Sequence, residues 1–188
     1  MPVYLQEGRS LSENDMKSVV FVLFLVGIAG FLIGGFVGDL LVKKKGLLFG
    51  RRFVGMLGLG ACGILLLLAA VSTTNTIASF CLIAANGFFS FGVMVSYAVC
   101  TDIGRNNAGT VTGAMNFFGQ MGAFFLAIIF GKIAQSTGSF ELPLFIVAGV
   151  MMTGALLWLG IDPLKQISEA SGQRIVKSTA EPVLPLKP

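Results

Sequence analysis

Five apolar runs govern what this chain can fold into. They extend from Val19 to Gly38, Phe53 to Val71, Ile77 to Cys100, Ala108 to Gly131 and Leu142 to Ile161. Each has about the length a helix needs to cross a hydrocarbon core of ~30 Å. None carries a charge in its interior, because Asp39, Asp102 and Lys132 fall at or beyond the edges. Barrel strands are about half as long and alternate polar with apolar residues. Backbone polar groups in lipid must find partners within the chain, which leaves helices. The expectation is therefore an all-α transmembrane protein. Composition agrees: the chain is 55% hydrophobic and 12% charged, against roughly 25% charged in soluble chains.

Charge placement supplies the topology. The first and third breaks and the C-terminal tail hold Lys43, Lys44, Lys45, Arg51, Arg52, Arg105, Lys165, Arg174, Lys177 and Lys187. The N-terminal segment and the second and fourth breaks hold only Arg9, Lys17 and Lys132. The positive-inside rule puts the first set in the cytoplasm, so the N-terminus is expected outside and the C-terminus inside. Cations confined to short breaks between apolar runs fit a bilayer better than nucleic acid as a partner. Residues 1–18 read as an external polar segment, without the apolar core of a signal peptide. Residues 19–164 form the helical bundle. Residues 165–188, low in hydrophobicity and with late prolines, read as a disordered cytoplasmic tail. An odd number of spans starting outside suggests a missing upstream helix, of which Tyr4 and Leu5 would be the end.

The residues exclude most enzymes. There is no histidine, so neither a His metal site nor a His base exists. Cys62, Cys81 and Cys100 lie in apolar runs and read as small buried hydrophobes. No zinc spacing, nucleophile elbow or phosphate loop is present, and no metal or cofactor is expected.

Glycines recur at four-residue spacing as Gly30 and Gly34, Gly34 and Gly38, and Gly109 and Gly113. Such pairs let helix backbones touch in lipid. Polar residues make two stripes at helical spacing. Asn86, Ser90, Tyr97 and Thr101 share one face of the third run, with Met94 among them; Thr112, Asn116 and Gln120 follow on the fourth. Amides in lipid need partners or water, so the stripes either bond helices together or wall a substrate path. The path candidates are Asn86, Ser90, Tyr97, Asn116 and Gln120. No acid or base lies in mid-span, so a titratable group for proton coupling would sit on helices outside this chain.

Two breaks pair acids with bases: Asp39 with the cations from Lys43 to Arg52, and Asp102 with Arg105. Topogenic charge explains the lysines. It does not explain Asp39, an anion expected at a helix C-terminus that the macrodipole disfavours. A latch between Asp39 and Arg52 at the cytoplasmic end is one expectation.

These residues resemble the major facilitator superfamily. Gly35, Asp39 and a basic loop closing on Arg51 and Arg52 are similar to the loop joining the second and third helices of each half. The stretch from Asp102 and Ile103 through Gly109, Thr110, Gly113, Asn116, Gly119, Gln120 and Gly122 resembles the tenth and eleventh helices of its anion–cation symporter branch. Gly104 stands where that branch often has proline. The resemblance covers nearly the whole chain. It implies helices eight to twelve of a twelve-helix carrier, a five-helix portion of the C-terminal bundle in the plasma (inner) membrane. It implies alternating-access transport of a small organic anion such as a sugar acid, coupled to protons, with the missing N-terminal bundle as partner. Gly35, Asp39, Arg51, Arg52, Asp102 and Arg105 would form the cytoplasmic gate. The chain alone would be inactive. The other reading is a non-transport helical subunit or a self-associating bundle.

Overall fold

The computed structural model describes residues 12–139 and 141–165, and they are all-helical or turn. Readings that fall on residues 1–11, on Phe140 and on the tail past Lys165 lie outside the described residues. The elements are α1 (Glu13–Lys45), α2 (Leu47–Val71), α3 (Asn75–Gly104), α4 (Ala108–Thr137) and α5 (Glu141–Leu157), with 3-10 turns at Arg105–Asn107 and Trp158–Gly160.

Four stretches are long and apolar enough to cross a membrane: Glu13–Lys45, Leu47–Val71, Asn75–Thr137 and Glu141–Gly160. The third is 63 residues long, or about 95 Å as a straight helix, some three bilayer cores. It contains both α3 and α4, interrupted at Arg105–Asn107. Arg105 there takes φ 44°, an uncommon backbone for a side chain larger than Asn or Asp, and the chain doubles back.

The helices outrun the apolar runs. Ser12 caps α1 by accepting from the Asp15 N–H at 3.2 Å, so the polar residues from Glu13 to Ser18 join the helix instead of staying an external loop. The basic stretch is not a loop either. Lys43, Lys44 and Lys45 form the last turn of α1, and Arg51 and Arg52 already belong to α2. Only Gly46 separates them, at φ 88°, which glycine adopts without strain. Asp39 consequently lies more than a turn before the end of α1, not at it.

Apolar burial from water cannot hold helices together in lipid, so close packing must. The α1 glycines supply it. A Cβ at Gly30 would run into the Gly87 backbone, and one at Gly34 into the Phe91 carbonyl, so α1 lies directly on α3. Likewise Gly58 meets Gly92 across α2 and α3, and Gly55 leaves a notch filled by Trp158. Around this seam Cys62, Leu66, Cys81, Leu82 and Leu144 make one buried cluster of α2, α3 and α5. Val54, Val95, Val99 and Trp158 make a second at the other end. The three cysteines are free and buried, as small apolar residues would be.

The fourth helix is different. Ala134 is its only buried residue among those described, and nothing lies within 4 Å of a Cβ placed at Gly109, Gly113, Gly119 or Gly122. Thus the α1 glycine pairs pack against other helices, while the Gly109–Gly113 pair meets no neighbour among the described residues.

Candidate functional site

The charged residues gather where α1, α2 and α3 meet. Arg51 is the pivot. Its Nε–H donates to Asp102 Oδ2 at 2.8 Å, and its Nη1 donates to Asp39 Oδ1 at 3.1 Å. The Arg51 side chain is 9% exposed, Asp102 22% and Asp39 67%. One guanidinium, rigid and permanently charged, thus ties together three helices through two carboxylates. Gly38 lies beside it, where a Cβ would press on Val95 Cγ2 at 3.2 Å and only touch Nη1 at 3.6 Å. The cluster opens on a cavity of about 270 Å³ whose wall includes Gly35, Asp39, Arg51, Met94, Thr101 and Asp102. The cluster has one more carboxylate than cation, which leaves Asp39 with capacity to take a further donor from outside.

Two expected pairings are corrected. Asp39 pairs with Arg51, not Arg52. Successive residues on a helix point about 100° apart, so when Arg51 faces α1 and α3 its neighbour cannot. Arg52 instead donates from Nε to the Ile161 carbonyl at 2.7 Å, pinning the end of α5. Asp102 pairs with Arg51 rather than Arg105. Arg105 is exposed in the strained turn and has no ion pair among the described residues.

The polar stripes divide. Asn86 and Ser90 face α1 at Gly27, whose missing side chain gives them space. Asn86 Nδ2 donates to the Leu23 carbonyl at 2.9 Å, so this amide is engaged in holding α1 to α3. Thr101 bonds back to the Tyr97 carbonyl at 3.1 Å. Tyr97 lies between α1 and α4: its hydroxyl donates to Asn116 Oδ1 at 2.9 Å, and its ring sits 6.4 Å from that of Phe31. Acceptance through Oδ1 leaves the two Asn116 N–H groups free to turn outward. Asn116 and Gln120, one turn apart on α4, are both exposed. Cys100 and Met115 touch sulfur to sulfur at 3.3 Å beside this pair.

Residue-by-residue reading of the chain misses Arg51 as the centre of the cluster, and the local sequence carries no signal for it, because Asp102 lies 51 residues away. Among the described residues no group of His, Cys, Asp or Glu could hold a metal ion.

The sequence profile of the Major Facilitator Superfamily matches residues 1–187. The chain is 28% identical over 166 residues to a probable sulfoacetate transporter of Cupriavidus necator, covering 87% of this chain and 38% of that protein. It is 31% identical over 160 residues to the hexuronate transporter of Bacillus subtilis, covering 82% of this chain and 38% of that one. A probable galactarate/D-glucarate transporter of Bacillus subtilis is 30% identical over 171 residues, 88% of this chain and 37% of that one. The chain therefore spans less than two fifths of the length of these relatives.

Proposed function

The chain belongs to the Major Facilitator Superfamily, a family of membrane transporters rather than enzymes, and from that premise we propose that it is the C-terminal part of a secondary carrier for a small organic anion. One observation carries the substrate class. The relatives above are named for sulfoacetate, hexuronate and galactarate or glucarate, all of them small carboxylate- or sulfonate-bearing anions. The chemistry of the exposed polar groups supports it. The outward N–H groups of Asn116 and the amide of Gln120 are donors suited to a carboxylate and hydroxyls, and the Tyr97 hydroxyl, which donates to Asn116 Oδ1, holds that amide in place. Asn86 and Ser90 would shape the path from the α1 side.

In this proposal α1 to α5 are five spans, the bundle of residues 19–164, with α3 and α4 separate crossings divided at Arg105. The N-terminal side faces out and the C-terminal side faces the cytoplasm of the plasma (inner) membrane. The working cycle is alternating access, in which two bundles rock about a central site. The Asp39–Arg51–Asp102 cluster closes the cytoplasmic side, and Asp39 reaches to the opposite bundle. Protons drive the uptake, with the titratable group on the part of the carrier not present here.

Vesicles containing only this purified polypeptide are expected to show no proton-driven uptake of hexuronate or glucarate; accumulation above protein-free vesicles sinks the half-carrier reading. In a carrier containing the N-terminal bundle, Asn116→Ala is expected to raise KM about ten-fold or more, the loss of a hydrogen bond to a charged group. Tyr97→Phe should do so less, by freeing the Asn116 amide to rotate. Unchanged uptake kinetics in both variants, at normal membrane levels, would remove this stripe from the substrate path. A second reading, a self-associating bundle, draws on Gly109 and Gly113 meeting no neighbour among the described residues. Sedimentation in detergent separates the two, since only the second needs a stable oligomer.

A further inference from the structure

We propose that the turn between α1 and α2 binds the phosphate headgroup of an anionic membrane lipid. Lys43, Lys44 and Lys45 are all exposed on the last turn of α1. The ion pairs among the described residues join Lys17 to Glu13 and Arg51 to Asp39 and Asp102, so among those residues the lysine triplet has no carboxylate partner. The nearest acid in sequence, Asp39, is already engaged by Arg51. Three unpaired ammonium groups with up to nine N–H donors thus crowd one turn.

What stands beside them says which anion fits. Lys45 Nζ lies 5.0 Å from the centre of the Phe49 ring. Phe49 stacks on Phe53 with centroids 5.5 Å apart and planes at 10°. Both rings are exposed, and they head an exposed apolar line along α2 that continues through Leu57, Ile64 and Leu68. On a membrane helix that line faces acyl chains, and its end marks the headgroup level. The lysines sit just beyond that end. Gly46 at φ 88° brings the N-terminus of α2 directly against them, with no side-chain cap and no acid in its first turn. A free anion in water would use the charge but not the phenylalanines; a lipid uses both, its phosphate on the lysines and its chains along Phe49 and Phe53. The inference rests on α1 and α2 being embedded in a bilayer and on nothing about the transported substrate. A carrier that failed the uptake tests would leave it standing.

The test is lipid retention by the purified chain in detergent, read by native mass spectrometry during titration with phosphatidylglycerol, phosphatidylcholine or inorganic phosphate. Phosphatidylglycerol adducts are expected to outlast phosphatidylcholine adducts. Each lysine contributes roughly five-fold, so Lys43→Gln/Lys44→Gln/Lys45→Gln together should lower apparent affinity by about two orders of magnitude. Because that variant removes charge that also directs insertion, Lys45→Gln alone and an all-arginine version accompany it. The first should lose about five-fold and the second should bind as wild type. Phe49→Ala with Phe53→Ala should weaken lipid retention several-fold with the lysines intact. Equal retention of both lipids, or wild-type retention in Lys45→Gln and the triple variant alike, overturns the proposal. So does displacement of the lipid by equimolar inorganic phosphate, which would make this a soluble-anion site. Loss of a dimer rather than of lipid in the lysine variants would make it a contact between copies, and the proposal would fail.

Discussion

Arg51→Ala is expected to lower the stability of the bundle by about 2–3 kcal/mol, somewhat below the ~3–5 kcal/mol of breaking a fully buried pair. The reason is asymmetric. The Arg51 side chain is only 9% exposed, and its removal strands Asp102, whose side chain is 22% exposed. Water reaches Asp39, at 67% exposure, and softens the loss there. Arg52→Ala is the control: it forfeits a single hydrogen bond to the Ile161 carbonyl, worth about 1 kcal/mol. Arg51→Lys should fall between, because the donors of an ammonium radiate from one nitrogen and do not span two carboxylates on different helices as the guanidinium does. Thermal unfolding in detergent, followed by far-ultraviolet circular dichroism, ranks the three. If Arg51→Ala and Arg52→Ala melt together, Arg51 is not the pivot. Asp39→Asn tests the other arm. It removes an exposed pair worth about 0–1 kcal/mol, so the bundle should melt nearly as before. In the longer carrier the same change should slow transport if Asp39 reaches the opposite bundle, and wild-type rates there would confine Asp39 to this chain.

Gly34→Leu is expected to pull α1 off α3 at a cost of about 2–3 kcal/mol or more, the overpacking penalty at a site with no room to relax. A Cβ at Gly34 would already overlap the Phe91 carbonyl, and one at Gly30 the Gly87 backbone. Backbone cannot step aside as a flexible side chain can. The buried residues of α1 are Leu23, Gly27, Gly34 and Gly38, and Gly27 and Gly34 both lie against α3. The detached helix should fray at its already exposed Lys43 to Lys45, so trypsin should cut there faster than in wild type. Gly109→Ala on α4 should do the reverse. Nothing lies within 4 Å of that position, so alanine should raise stability by up to about 1 kcal/mol through helix propensity. A Gly34→Leu chain that melts and resists trypsin like wild type would contradict the seam. A destabilised Gly109→Ala chain would show that α4 already has a partner in solution.

The apolar runs, their lengths and the uncharged interiors are properties of composition along the chain, and they made the helical membrane character legible. The glycine spacing in α1 announced close packing for the same reason: periodicity on one helix needs no knowledge of its neighbour. Helix ends were less legible. Polar residues such as Glu13 to Ser18 and the cations Arg51 and Arg52 are ordinary helix formers once a cap or a glycine turn sets the boundary, and apolar runs do not mark where that happens.

Partners were decided by the tertiary structure alone. The sequence placed acids and bases at the same end of the bundle. It could not choose Arg51 over Arg52 for Asp39, because adjacent residues share a location in sequence while their side chains diverge by about 100° around the helix. Nor could it send Asp102 to a cation 51 residues away instead of to Arg105, three positions on. The same holds for Asn86, legible as a polar residue on a stripe but engaged by the Leu23 carbonyl only once Gly27 opens the space. Along the chain, sequence determined which residues live in lipid and which at its edge. Across the chain, only the meeting of α1, α2 and α3 determined who bonds to whom, since an ion pair depends on distance in space and direction from a helix, and neither is written in residue order.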